Sequence, residues 1–207
     1  MKEILKLAFA LMVFATVACV ALAFVYASTE ERIAENQSAK LNAALMDIFG
    51  KDAVFESIDG FSGPDGDTVK FGTAYAAKSG GALAGIALNA SDQGFNDTIT
   101  ALVGVDAGGR IAGVRILQNT DTPGLGANAS SAAYFVDKPA NTKTFYDQFT
   151  GMEADGNIKV TNDGGKIEAI TAATITSRAV SRVVNSAGIA GRNWLAGSGA
   201  ALKKEAE

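Results

Sequence analysis

The feature that most constrains this chain is an uncharged run of 21 residues, Leu7 to Ala27. A helix rising about 1.5 Å per residue over that run spans roughly 31 Å, the thickness of a bilayer's hydrocarbon core. Lys2 and Lys6 precede it, and Glu30 and Glu31 follow it. The bias of cations toward the cytoplasmic flank places residues 1–6 inside and everything after Ala27 outside. Two competing readings are cleavage after Ala21-Leu22-Ala23, which has the small-residue pattern of a signal-peptidase site, and lipidation at Ala18-Cys19. The apolar run continues through Phe24-Val25-Tyr26, and the residues after Cys19 are apolar rather than polar, so an uncleaved anchor fits better. Cys19 is then read as a small apolar residue in a membrane helix.

What the chain lacks narrows its chemistry. It has no histidine, which removes histidine-based triads and histidine-ligated zinc or haem. Its single cysteine permits neither an intramolecular disulfide nor a cysteine-ligated iron–sulfur cluster. Redox chemistry would therefore need an organic cofactor. The net charge is −4 with no basic block, so no nucleic-acid partner is expected.

Beyond the anchor, Ile33, Leu41, Ala44, Leu45 and Ile48 recur at helical spacing and predict an amphipathic helix over Ala34–Phe49, ended by Gly50. Phe61 to Asp67 reads as a turn. Tyr75 to Ile86 and Val103 to Val114 each read as strand, Gly-Gly turn, strand. Two successive hairpins predict a largely antiparallel sheet. Tyr134 to Phe149, around Pro139, predicts a short helix ending near Gly151. Ile158-Lys159-Val160 reads as a short strand and Asn162 to Gly165 as a turn. Ser177 to Trp194 reads as a helix, and the chain from Leu195 onward as a frayed tail.

The most informative stretch is Glu168-Ala169-Ile170-Thr171-Ala172-Ala173-Thr174-Ile175-Thr176-Ser177-Arg178. It reads as a strand end, a small-residue turn and a helix start, with Thr176 or Ser177 as N-cap. A helix N-terminus suits a phosphate, small Ala172 and Ala173 allow close approach, and Arg178 could pair with the anion. The same residues also suit a capped helix with hydroxyls facing water.

This stretch resembles the flavinylation motif, Asp-x-x-Ser/Thr-Gly-Ala-Thr-x-Ser/Thr, of the RnfG and NqrC families. Thr174 matches the family's flavinylated threonine, and Thr171, Ala173 and Thr176 match as well. Glu168 stands where the family has Asp, and Ala172 where it has Gly. Asp121-Thr122-Pro123-Gly124-Leu125-Gly126 is similar to the family's Glu-Thr-Pro-Gly-Leu-Gly loop, and Gly94-Phe95-Asn96 resembles its Gly-Tyr-Gly segment. The chain's length is closer to RnfG.

The resemblance implies an α+β protein: an N-terminal transmembrane helix followed by a single FMN-binding domain with a mainly antiparallel sheet flanked by helices. The expected divisions are a cytoplasmic N-terminus (1–6), the transmembrane helix (7–27), a juxtamembrane amphipathic helix (28–50), the extracytoplasmic FMN-binding domain (51–195) and a flexible tail (196–207). FMN would be attached covalently as a phosphoester on Thr174. The implied cofactor contacts are Thr171, Ala172, Ala173, Thr176, Ser177 and Arg178, and from the loop Thr122, Pro123, Gly124, Leu125 and Gly126. In such families a flavin transferase loads FMN from FAD with a divalent metal. The protein would relay electrons among the other subunits of an Rnf-type, ion-translocating ferredoxin:NAD oxidoreductase complex in the inner membrane. No acid–base catalytic residue and no metal ligand of its own are expected. The residues leave two other readings open, a non-redox extracytoplasmic binding module and a stand-alone membrane-anchored flavin reductase.

Overall fold

The computed structural model describes residues 1–58, 61–64, 66–137 and 140–204, with side chains through residue 197. It divides the chain into two compact units, Met1–Lys40 and Leu41–Glu207. Helix α1 is Lys2–Phe49, so the amphipathic segment expected from Ala34 belongs to one longer helix. Nothing between Ala27 and Ala34 breaks a helix: Thr29-Glu30-Glu31-Arg32 contains neither Gly nor Pro. Gly50, at φ +92, ends it. In the first unit every residue of the apolar run is exposed.

The second unit is built on five strands, β1 (Val54–Ile58), β2 (Lys70–Ser79), β3 (Ala82–Gln93), β4 (Thr98–Asp106) and β5 (Ile111–Gln118). They form one antiparallel sheet in sequence order, as the two hairpins predicted. The β2–β3 turn explains the first Gly-Gly pair. Gly80 and Gly81 both have positive φ, and Ser79 pairs with Ala82, which is the geometry of a tight two-residue hairpin.

Both faces of the sheet are covered. Alternate residues Ile86, Leu88 and Ala90 of β3 and Ile99, Ala101, Val103 and Val105 of β4 join the main core. Helix α2 (Thr174–Lys204) contributes Val180, Val183, Val184 and Ala187 to it. Each large aliphatic side chain buried this way contributes about 1.5–3 kcal/mol. The intervening residues Ala87 and Leu102 face Ala44 and Leu45 of α1 in a second, smaller cluster. Gly104 makes that contact close, because a Cβ on it would overlap Ile48 Cγ2.

Four local expectations are corrected. Ile158-Lys159-Val160 is not a strand: Val160 makes an isolated parallel bridge to Ile167, and Ile158 N–H is taken by the Asn185 side chain at 3.0 Å. Among the described residues from Tyr134 to Phe149, the short helix is a 3₁₀ turn, Tyr146–Phe149, and Phe135 makes an isolated bridge to Thr144; Pro139 lies outside the described residues. Helix α2 starts at Thr174 rather than Ser177. It also continues through Lys204, past Leu195 where a frayed tail is expected, although Gly197 and Gly199 are poor helix formers.

Candidate functional site

Two segments meet beside the start of α2. The first is the loop Asn119–Gly126. Pro123 and Gly124 occupy the centre of a turn closed by Leu125 N–H donating to Thr122 O at 3.1 Å, and Gly124 supplies φ +78 at the third position. The Asn119 side chain braces the loop, accepting from Asp121 N–H at 3.0 Å and donating to Gly126 O at 2.9 Å. This turn leaves Leu125 40% exposed, so it is not a plug of the protein's own core.

The second segment is Ile170–Ser177. Ala173 N–H donates to Ile170 O at 3.0 Å, and Ala172 sits at φ +60. The left-handed conformation that an L-residue resists is therefore adopted here, which explains why glycine suits this position in the motif. The turn sets Thr174 as the first residue of α2. Neither Thr176 nor Ser177 caps the helix. Ser177 Oγ accepts Ile170 N–H and donates to Ala173 O, both at 2.9 Å. Thr176 Oγ1 donates to Asp121 Oδ2 at 2.5 Å and so ties the helix to the loop. Asp121 is buried, and its Oδ1 also accepts Asn96 N–H at 2.9 Å.

Between the segments lies an open cavity of about 320 Å³. Of the residues singled out from the sequence, it brings together Thr122, Leu125 and Gly126 with Ala172, Ala173, Thr174 and Thr176. Five others do not line it. Pro123 and Gly124 shape the turn behind it. Thr171 is exposed and gives its N–H to Tyr134 Oη at 3.4 Å. Ser177 is turned inward. Arg178 forms a two-pronged pair with Asp163, Nε to Oδ2 at 2.7 Å and Nη2 to Oδ1 at 2.6 Å. Those bonds hold the Asp163 carboxyl below its ordinary range and raise the Arg178 guanidinium.

Three lining residues were not among the expected contacts: Phe95, Asp121 and Ile175. Phe95 and Ile175 are 65% and 50% exposed. An aromatic between Gly94 and Asn96, and an isoleucine between two threonines, are large apolar groups in polar stretches. That was the available signal.

The comparisons with known proteins follow this geometry. The FMN-binding domain model matches residues 94–188, which include both segments and Phe95, and the RnfG N-terminal region model matches residues 1–48. The G subunit of the Na(+)-translocating ferredoxin:NAD(+) oxidoreductase complex of Acetobacterium woodii is 31% identical over 202 residues, covering 89% of each chain. The G subunit of the ion-translocating oxidoreductase complex of Pseudomonas aeruginosa is 32% identical over 196 residues, covering 90% of this chain and 87% of its own. The chain belongs to the RnfG family. The protein of the same name in Shewanella amazonensis is 30% identical over 190 residues, with 89% and 86% covered.

The cavity fits the cofactor of an RnfG-type FMN-binding domain. Phe95, Leu125 and Ile175 are exposed apolar side chains converging on one opening, which is the surface a flat ring would cover. At its edge the first turn of a 31-residue helix offers unpaired N–H groups suited to a phosphate.

Proposed function

We propose that this chain is the electron-relay subunit of an Rnf-type ion-translocating oxidoreductase complex and carries FMN as a phosphoester on Thr174, outside the cytoplasmic membrane. The observation that carries the reading is the cavity, which joins the Thr174 hydroxyl at a helix N-terminus to three exposed apolar side chains. Bound FMN supplies the transfer of one or two electrons.

Every other task belongs to the chain's residues. Thr174 Oγ would hold the group: on loading it would form an O–P bond to the FAD phosphorus that borders the flavin moiety, with the bond to AMP broken and AMP leaving. The hydroxyl proton would pass to a base of the flavin transferase, since the chain has no histidine and, among the described residues, the one carboxylate lining the cavity is engaged with Thr176. The α2 N-terminus then favours the phosphoester's negative charge. Phe95, Leu125 and Ile175 exclude water from the ring. The covalent link retains the cofactor in a compartment from which free flavin would diffuse away.

Intact-mass measurement after co-production with a flavin transferase tests this directly. The wild type is expected to gain one FMN unit and Thr174→Ala none, with its fold retained. Flavin fluorescence that still travels with Thr174→Ala on a denaturing gel would sink the assignment.

A further inference from the structure

One cavity-lining side chain is charged, and its charge is negative. Asp121 is only 5% exposed, yet it forms part of the cavity beside Thr174. Its Oδ1 accepts Asn96 N–H at 2.9 Å and its Oδ2 accepts the Thr176 hydroxyl at 2.5 Å. Both bonds are of the kind a charged acceptor strengthens. Thr176 lies in the first turn of α2, where the positive end of a helix favours an anion. Gly126 lets the carboxylate sit there, because a Cβ on it would come within 2.5 Å of both Asp121 Oδ2 and Thr176 Oγ1. An asparagine of the same shape has one acceptor oxygen, so it could keep Asn96 N–H only by turning its NH2 toward Thr176 Oγ1, whose hydroxyl would then accept rather than donate. The number of bonds bracing the loop can therefore be kept without the charge, with one of them reversed. Among the described residues no cation lines the cavity, and Arg178 is engaged by Asp163.

We propose that Asp121 is a tuning residue whose fixed negative charge lowers the reduction potential of the FMN held on Thr174. The inference rests on the flavin reading above. Reduction adds two electrons to the ring, from a donor subunit in the complex or from dithionite in a titration. When one proton accompanies them, the ring ends with one more negative charge than it began. A buried carboxylate at the cavity wall repels that added charge, in surroundings where water screens it weakly. The oxidised ring is thereby favoured, and the reduced ring becomes a stronger donor to the next carrier.

The test uses the full chain in detergent, loaded by co-production with a flavin transferase. Loading is checked by fluorescence on a denaturing gel, and potentials are read by absorbance during dithionite titration with mediators. Asp121→Asn is expected to raise the potential so that the reduced-to-oxidised ratio at a fixed ambient potential increases tenfold or more, about 30 mV for a two-electron couple. Asp121→Glu, which keeps the charge, is expected to stay within tenfold of the wild type. Equal potentials in the wild type and Asp121→Asn, or a lower one in the variant, overturn the proposal. If Asp121→Asn does not fold, Asp121→Ser supplies the neutral comparison. Its potential should lie above that of Asp121→Glu, and an equal or lower one overturns the proposal too. A wild type that takes up no flavin defeats the flavin reading itself; loaded proteins with equal potentials defeat the role of Asp121 alone.

Discussion

At the scale of single residues, the site separates side chains that face the cavity from side chains that hold the backbone around it. Leu125 belongs to the first group. At 40% exposed it has little of its own core to lose, so Leu125→Ala is expected to cost no more than about 0.5 kcal/mol in urea unfolding. The same variant should keep its covalent FMN and shift the flavin absorbance spectrum, because the ring loses an apolar wall. A stability loss of the size seen for buried leucines, about 2–5 kcal/mol, with an unchanged spectrum would mean that Leu125 supports the fold instead. Arg178 belongs to the second group, through Asp163. The carboxyl of Asp163 is lowered in the folded protein, chiefly by its hydrogen bond from Arg178. The stability it contributes is therefore fully present above the ordinary carboxylate range, about 3.9 for an aspartate, and is lost as pH falls through the lowered value. Arg178 is raised, so its own share would disappear only in strong alkali. Asp163→Asn should consequently be less stable than the wild type at neutral pH, with the two converging in strong acid. A gap of constant size across an acid titration of the unfolding midpoint would contradict that assignment.

At the scale of elements, the last two turns of α1 pack against the sheet. Leu45 is 1% exposed and lies with Ala44 over Ala87 and Leu102, while Ile48 approaches Gly104. A chain beginning near Ala34 keeps this contact and is expected to be soluble and competent for flavinylation. One beginning at Gly50 strips the second cluster and should aggregate, and Leu45→Ala within the longer form should lose about 2–5 kcal/mol in urea unfolding. Equal solubility and equal unfolding midpoints for the two truncated chains would show that α1 adds nothing to the sheet. The sequence made the sheet legible because each Gly-Gly pair marks a turn between alternating apolar residues, and both signals are local. The start of α2 was misread for a physical reason. Thr176 and Ser177 look like caps, but their hydroxyls are spent on Asp121 and on Ile170 and Ala173, and the chain reverses at Ala172 instead. Ile158 and Val160 alternate with an exposed lysine as strand residues do. Their alternation serves the core, while their backbone partners come from Asn185 and Ile167 rather than from a ladder. Of the cavity, the motif segments could be read from sequence. Phe95 was legible only as part of a segment resembling the family's, and its place on the cavity wall with Leu125 and Thr174 emerges only from the fold.

At the scale of the whole molecule, the question is which compartment holds the cavity. Leu7, Phe14 and Phe24 are 71%, 77% and 74% exposed, and the most apolar window of α1 has a mean hydropathy of 2.6 with none of it buried. A core helix of a water-soluble protein would have covered these side chains, and a patch of this kind left in water is an aggregation site. A bilayer covers them at no such cost, over the length that Leu7 to Ala27 supplies. The proposed orientation rests on charge: Lys2 and Lys6 lie on one side of the run, with Glu30 and Glu31 on the other. Cationic residues are retained in the cytoplasm, so the sheet, α2 and the Thr174 cavity are expected outside it. The covalent attachment proposed at Thr174 would have a clear use there, since no cytoplasmic pool could replace a lost flavin. Protease added to intact cells, after permeabilising an outer membrane where one is present, should therefore digest residues beyond the anchor and leave a cytoplasmic marker whole. Moving the charge should move the domain. With Lys2 and Lys6 replaced by Glu, and Glu30 and Glu31 by Lys, a fraction of the chain should become protected until the cells are lysed. Protection of the unaltered chain would place the cavity in the cytoplasm and overturn the topology.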